Sequence, residues 1–388
     1  MKRRLHSAGD AVWAVPVRTS TGSYPVLAGA GLLARIPEFL EEYAPAHRYA
    51  VISDDLVASL YGKDVVDACT FAGLEANLFT FPRGEASKSR EQWSALTDAL
   101  LRAGIRRDGV VVAVGGGVTG DLAGFVAATF LRGIPVVQVP TSTVAMIDAS
   151  VGGKTGVDVE EGKNLVGAFH SPRVVVADPA VVRTLPPEER AQGLAEAVKH
   201  GAILDAAYFD DLCEAAGRLM AGDTDATMAA VLRSVELKAR VVTEDERESG
   251  VRQILNFGHT VGHAIEAASG YTVSHGTAVA AGMVLEARLG EHVGVTEVGT
   301  SARLTEALAC FGLGAVPDVR FDAAEVLQYL GVDKKARQGR PRFVLLRSIG
   351  VVHEADGWSS EVWPDEIEDL VQEVTGTSAR RGDGSISH

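Results

Sequence analysis

A chain of 388 residues, 46% hydrophobic and 23% charged, has the composition of a globular protein long enough for two domains, and it excludes fibrous and disordered classes. The formal net charge of −14 argues against a nucleic-acid partner, whose phosphates call for a basic surface, so an anionic ligand must meet a local cluster of Lys and Arg. The three cysteines, Cys69, Cys213 and Cys310, form no CxxC and no even framework, and no apolar run reaches membrane-spanning length or follows the basic start Met1–His6; a cytoplasmic, non-membrane protein is expected.

Residues 1 to about 180 alternate short β-branched runs with longer periodic segments, the pattern of a parallel sheet with crossover helices. Strands are expected at Val12–Val17, Tyr49–Ser53, Ala76–Phe81, Gly109–Val114, Pro135–Pro140 and Val174–Asp178, with helices near 30–44, 55–72, 88–105 and 118–131. From about Pro186 the texture turns Ala-, Leu- and Glu-rich, which predicts a helical second domain over 181–374, interrupted by a hairpin within Arg342–Glu354; the Ser-, Gly- and Arg-rich tail 375–388 reads as disordered. The fold class is thus an α/β nucleotide-binding domain with a mainly parallel sheet followed by an α-helical domain. Ligands of such enzymes commonly bind between domains and at the carboxyl ends of parallel strands, so the motifs are expected to meet there.

The strand Val110–Val114 runs into Gly115-Gly-Gly-Val-Thr-Gly-Asp121 and then a helix, which satisfies GxGxxG in the context that motif needs to approach a pyrophosphate. It departs from the usual fingerprint, lying mid-sheet with no ribose-binding acid on the following strand. Asp54, after an earlier strand, and Glu85, in Pro82–Lys88, can supply that acid, and an acid there favours NAD over NADP. Lys154, in Asp148-Ala-Ser-Val-Gly-Gly-Lys, and Lys163 with Asn164, in Gly-Lys-Asn-Leu-Val-Gly, lie in glycine-rich loops and read as an anion cradle, with Arg132 a further contributor.

The run Arg252–His263 places Arg252, Asn256, His259 and His263 four, three and four residues apart, one face of a helix. Histidines one turn apart suit a divalent metal, and His275 follows within reach. Glu196 sits in an Ala- and Leu-rich run that looks buried, where a carboxylate needs a partner charge or a metal; Lys199 is the ion-pair alternative. Glu196, His259 and His275 make a set with open positions for substrate oxygens, leaving His263 for hydrogen bonding or proton transfer. Lys238 and Arg252 are candidate ligands for a substrate carboxylate or phosphate, and Asp333-Lys-Lys335 a candidate closing loop.

Together GGGVTGDLAGFVAATFLRGIP, VPTSTVAMIDASVGGKTGV, GKNLVGAF, GLAEAVKHG, DERESGVRQILNFGHTVGHAIE, SHGTAVAAGM and VDKK are similar to the 3-dehydroquinate synthase family, over about 24–354. The resemblance implies an NAD-binding α/β domain, a helical metal domain, a homodimer, and conversion of 3-deoxy-D-arabino-heptulosonate 7-phosphate to 3-dehydroquinate and phosphate. It implies zinc (or cobalt) on Glu196, His259 and His275; a cofactor site from Asp54, Glu85, Lys88, Gly116, Gly117, Val118, Asp121, Thr141, Ser142, Asp148, Lys163, Asn164, Thr184, Leu185 and Glu189; and substrate contacts from Arg132, Lys154, Asn164, Lys199, Lys238, Arg252, Asn256, His263 and Lys335, with Glu248 as site acid. Two positions depart from the family pattern: Leu56 stands where an Asn is usual, and Thr277 replaces the Glu of HGEAV. Sister sugar-phosphate cyclases, an amino-dehydroquinate synthase among them, and metal-dependent polyol dehydrogenases are the rival readings.

Overall fold

The computed structural model describes residues 3–4, 12–20, 22–313, 323–332 and 341–362. They fall into two compact units, residues 1–200 with 210–252, and residues 201–209 with 253–388.

The first unit is built on one eight-stranded sheet in the order β1-β2-β3-β10-β7-β6-β4-β5. Its strands are β1 (Arg3–Arg4), β2 (Trp13–Thr19), β3 (Gly22–Ala28), β4 (Tyr49–Asp54), β5 (Ala76–Phe81), β6 (Val110–Gly115), β7 (Val136–Pro140) and β10 (Val174–Ala177), while β8 (Lys154–Val159) and β9 (Gly162–Phe169) form a separate antiparallel hairpin. From β3 to β5 every neighbouring pair is parallel; β1 and β2 add antiparallel strands at one edge. Alternate residues of the central strands point to opposite faces, so one β-branched run feeds two cores. Val51, Val110, Val112 and Val176 pack under Leu32, Ile36 and Leu40, on and just before α1 (Ile36–Tyr43), and Val65 and Cys69 of the helix that follows β4. Ile52, Val111 and Ala113 pack on the other side, under Leu96 and Leu100 of the helix after β5 and Leu122 and Val126 of the helix after β6.

Those helices are α2 (Asp55–Val57) and α3 (Lys63–Phe71) after β4, α4 (Arg90–Arg102) after β5 and α5 (Gly117–Thr129) after β6. The chain continues through α6 (Pro187–Leu204), α7 (Ala206–Glu214), α8 (Ala216–Met220) and α9 (Thr224–Glu244). Ser89 and Asp223 start α4 and α9 with side-chain caps on the backbone N–H groups of Gln92 and Ala226.

All six expected strands are present. Two features were hidden. β3 pairs with β2 so that Pro16 faces Pro25, and prolines suppress a strand reading. The stretch taken as loops around Lys154 and Lys163 is the β8–β9 hairpin, where the glycines serve close strand approach: a Cβ on Gly167 would stand 2.2 Å from the Thr155 carbonyl oxygen.

The second unit contains α10 (His259–Ala268), α11 (His275–His292), α12 (Thr300–Ala309) and α13 (Ala323–Val332), with the short pairs β11 (Arg342–Phe343) to β14 (Ser360–Glu361) and β12 (Leu346–Ser348) to β13 (Val351–Val352). Its core joins Val261 and Ile265 of α10, Leu285 and Leu289 of α11, and Phe343 and Leu345. The expected late hairpin is β12–β13. Gly350 at its turn donates its N–H to the Ala202 carbonyl at 2.8 Å, which ties residues 201–209 to this unit.

The helix expected to run through Arg252–His263 is two pieces. A 3-10 turn covers Val251–Asn256, Gly258 takes a left-handed conformation (φ 78°), and α10 begins at His259. The four-three-four spacing therefore does not lay these four side chains along one helix face; only His259 and His263 share α10.

Candidate active site

Strand order fixes where a nucleotide would lie. From β4 the sheet grows to β5 on one side and to β6, β7 and β10 on the other, so its topological switch point falls between the carboxyl ends of β4 and β6. Asp54 ends β4; its Oδ1 accepts the Val57 N–H at 2.9 Å and its Oδ2 accepts the Thr119 hydroxyl at 3.4 Å. Gly116 opens α5 with no side-chain cap and no acid in the first turn, which leaves the positive end of the helix to an anion. Val118 and Asp121 lie in its first turns. The Thr141 N–H donates to the Gly115 carbonyl at 2.9 Å, joining the ends of β6 and β7, and Ser142 follows. Thr184 bonds the Tyr61 hydroxyl at 2.6 Å, while Leu185 and Glu189 continue along the segment into α6. Leu56, in place of the usual Asn, is exposed.

Lys88 is buried, donates to Asp121 Oδ2 at 2.6 Å and to Asn164 Oδ1, and stands 4.0 Å from Glu85. Burial alone would lower its pKa, but Asp121 and Glu85 outweigh burial and hold it above the ordinary lysine value. The ammonium latches the loop after β5 to α5 and to β9, where Lys163 and Asn164 (φ 56°) lie. Arg132 is exposed on a turn where Leu131 (φ 50°) and Arg132 (φ 72°) are both left-handed, a conformation that costs non-glycine residues.

A second cluster of the same unit gathers around the turn carrying Asp148. Lys238 of α9 donates to both the carbonyl oxygen and Oδ1 of Asp148, each at 2.7 Å, and His200 Nε2 of α6 stands 3.3 Å from the same Oδ1. Burial opposes ionisation of Asp148, yet Lys238 and Lys199 hold its carboxyl well below the usual range. Burial pushes Lys238 down to about 8, against the pull of Asp148 and with the push of Arg252, and burial likewise lowers His200, which is therefore neutral. Glu196 and Lys199, both buried on α6, form an ion pair, and Lys154, at the start of β8, pairs with Glu248, whose backbone is left-handed (φ 59°).

Arg252 is also buried. Its guanidinium donates to the Gly152 carbonyl at 3.2 Å and the Glu246 carbonyl at 2.5 Å and lies 5.9 Å from the Phe169 ring centre. The Gly152 N–H donates to the Tyr24 hydroxyl at 3.0 Å, so Gly152, two residues before Lys154, is held through both its N–H and its carbonyl. Burial pushes Tyr24 up to about 12 and keeps that hydroxyl neutral. The cluster thus sets Lys154, Lys199, Lys238 and Arg252 against Asp148, Glu196 and Glu248, an excess of one positive charge in a strongly acidic protein.

In the second unit His259, His263 and His275 face one another, with ring centres 5.4, 5.5 and 6.0 Å apart. His259 Nδ1 meets the Phe257 carbonyl at 3.2 Å and His275 Nδ1 meets Glu266 Oε2 at 3.3 Å. Both partners only accept, so both protons sit on Nδ1 and each lone pair is on Nε2, the form a metal takes. Glu286 of α11, fully buried, accepts the Gly258 N–H at 2.7 Å and the Val261 N–H at 3.3 Å, which satisfies the opening turn of α10 and places His259. Thr277 bonds the Ser274 hydroxyl at 2.8 Å at the start of α11. Asn256 ends the preceding 3-10 turn. Lys335 and the tail 375–388 lie outside the described residues.

Sequence reasoning missed Tyr24, His200, Glu266 and Glu286. Glu266 carried a signal, three residues beyond His263 on the same helix. Tyr24 and Glu286 carried none, since their partners are backbone groups of distant or unrelated turns.

A doubly-wound sheet followed by this helical unit is the fold of the sugar-phosphate cyclases. A 2-deoxy-scyllo-inosose synthase solved with carbaglucose-6-phosphate, NAD+ and Co2+ matches with a TM-score of 0.86 at 25% identity, over 93% of this chain and 99% of that one. A 2-epi-5-epi-valiolone synthase from Streptomyces hygroscopicus subsp. jinggangensis, solved with NAD+ and Zn2+, matches with a TM-score of 0.82 at 27% identity, over 91% and 97%. The models for the 3-dehydroquinate synthase N-terminal and C-terminal regions match residues 78–192 and 193–336. The 3-dehydroquinate synthase of Pelobacter propionicus is 46% identical over 335 residues, 86% of this chain and 93% of that protein, and that of Rippkaea orientalis is 40% identical over 351 residues, 90% and 96%. The chain belongs to the 3-dehydroquinate synthase family.

Proposed function

We propose that the protein is a 3-dehydroquinate synthase, a lyase that converts 3-deoxy-D-arabino-heptulosonate 7-phosphate to 3-dehydroquinate and phosphate with catalytic NAD and a divalent zinc or cobalt ion. The observation that carries this reading, within a family shown by sequence, is the four cations gathered around the Gly152–Lys154 turn, three of them buried and Lys154 exposed, against three carboxylates. A substrate bearing carboxylate and phosphate uses that excess, whereas a neutral polyol has no group to meet it.

NAD is assigned to the switch point, along Asp54, Glu85, Lys88, Gly116, Gly117, Val118, Asp121, Thr141, Ser142, Asp148, Lys163, Asn164, Thr184, Leu185 and Glu189. The ion is assigned to Glu196, His259 and His275, and the donor chemistry fits: two imidazoles present Nε2 lone pairs, and a buried carboxylate calls for a cation. Bound there, the ion would supply Lewis-acid polarisation of a substrate hydroxyl and NAD a reversible hydride acceptor, the chemistry that loss of phosphate by elimination needs.

The chain's own groups do the rest. Committing Glu196 to a cation releases Lys199 towards the substrate, beside Lys238 and Lys154. Arg252 steadies the Gly152 turn and, with Arg132, Asn164, Asn256 and Lys335, completes the substrate contacts. Glu248 and His263 are the assigned proton carriers. Residues 1–180 form the cofactor domain and 181–374 the metal- and substrate-binding domain; the working enzyme is a cytoplasmic homodimer.

The decisive assay is phosphate release from the heptulosonate with NAD+ far below substrate, with and without a chelator. Many phosphates per NAD+, abolished by chelation, are expected. Stoichiometric NADH from a polyol, with no phosphate released, would make the protein a dehydrogenase, and turnover of the amino analogue alone would make it an amino-dehydroquinate synthase.

A further inference from the structure

Glu266 has no place in that assignment, yet it is 2% exposed, carries a carboxylate, and points at a proposed metal ligand. Burying a carboxylate is costly unless hydrogen bonds or a partner charge meet it. We infer that Glu266 is a positioning residue, not a ligand: it holds His275 through Nδ1 so that Nε2 alone faces the ion, and it raises the basicity of that imidazole. The inference rests on the proposed metal centre and extends it.

Three observations support it. His275 Nδ1 lies 3.3 Å from Glu266 Oε2, and an ionised carboxylate only accepts, so the Nδ1 proton is fixed there. His259 is held in the same tautomer by a different acceptor, the Phe257 carbonyl at 3.2 Å, so two imidazoles on two helices are prepared alike. The helices that carry them cannot slide: a Cβ on Gly282 of α11 would stand 2.0 Å from the Gly258 carbonyl oxygen, so backbone meets backbone beside the site. Glu266 on α10 and His275 on α11 are thus held at a fixed separation, as an orienting hydrogen bond requires.

A rival arrangement shares His275. His263, Glu266 and His275 also place one ligand atom each within 4.8 Å of one another, and in that set Glu266 would itself bind the ion. The two arrangements differ in what His263 does, and that is measurable on full-length apoprotein with Zn2+ alone. Titration should show one site. Glu266→Gln should weaken it about 10–100-fold, and His263→Ala should leave the affinity within about threefold, a change worth less than the 1.4 kcal/mol of a factor of ten. Unchanged affinity in Glu266→Gln overturns the inference alone, and loss of zinc binding in His263→Ala overturns it together with the assigned ligand set, in both cases leaving the proposed reaction intact. A wild-type protein that takes up no zinc overturns this inference together with the metal part of the proposed function. Should Glu266→Gln fail to fold, the zinc-loaded wild-type protein labelled with 15N-histidine gives a direct reading. His275 bound through Nε2 with a protonated Nδ1 is expected, and binding through Nδ1 overturns the inference.

Discussion

The two units prepare charge for chemistry in opposite ways. In the first, three of the candidate-site cations are matched to carboxylates distant in sequence: Lys238 to Asp148, Lys154 to Glu248 and Lys88 to Asp121. In the second, the imidazoles and the carboxylates that orient them lie on two successive helices, α10 and α11. The first arrangement exists only when the whole unit has folded and responds to each lost partner with a stranded charge. The second is local, tuned through hydrogen bonds to neutral rings, and should tolerate damage with smaller losses.

The sharpest way to break that contrast is Asp148→Ala, which strands Lys238 in a buried setting. It should cost about 3–5 kcal/mol of stability in urea unfolding, and an undiminished stability would show that the cluster is solvated after all. Lys154→Ala removes an exposed cation and should lower kcat/KM by about 100–1,000-fold with metal content unchanged; wild-type turnover would take Lys154 out of the site. On the local side, Glu286→Gln keeps the shape but loses the charge at the start of α10, and should cost about 1–3 kcal/mol in apoprotein denaturation. A loss equal to that of Asp148→Ala would erase the distinction between the units.

The smallest effect is a pH dependence. Lys238 has its pKa lowered to about 8 in the folded protein, so its positive charge fades as pH rises through 8 and KM for the anionic substrate should climb there, by at most about tenfold per pH unit. The stability sign is the reverse. Between about 8 and the ordinary lysine value of 10.5 the unfolded chain holds the proton that the folded chain has lost, so this group makes folding more favourable as pH rises across that window. Lys238→Met should flatten both trends, and a KM profile unchanged by that substitution would assign the titration elsewhere.

Much of the first unit was legible because its strands are runs of valine bounded by turn residues, and a parallel sheet buried on both faces has little else it can be. The glycine turn at Gly115–Gly117 was legible for the same reason, being strand, glycines and helix in order. Lys154 and Glu196 were singled out by asking what a charge was doing in glycine-rich or apolar company, and Lys238 as a cation in a charged run that a substrate anion could use. The β8–β9 hairpin escaped because glycines that let strands approach look like glycines that let a loop bend. The helix through Arg252–His263 was overdrawn because spacing says nothing of backbone sign, and Gly258 reverses it. Tyr24 and Glu286 were invisible in principle: each serves a backbone amide, and amides leave no trace in a pattern of side chains.

The backbone contact between Gly258 and Gly282 has a practical consequence for anyone reshaping the metal centre. Because backbone meets backbone there, α10 and α11 have no room to come closer at that point. A side chain at Gly282 would press on the Gly258 carbonyl, so redesign is better aimed at the donor side chains than at this seam.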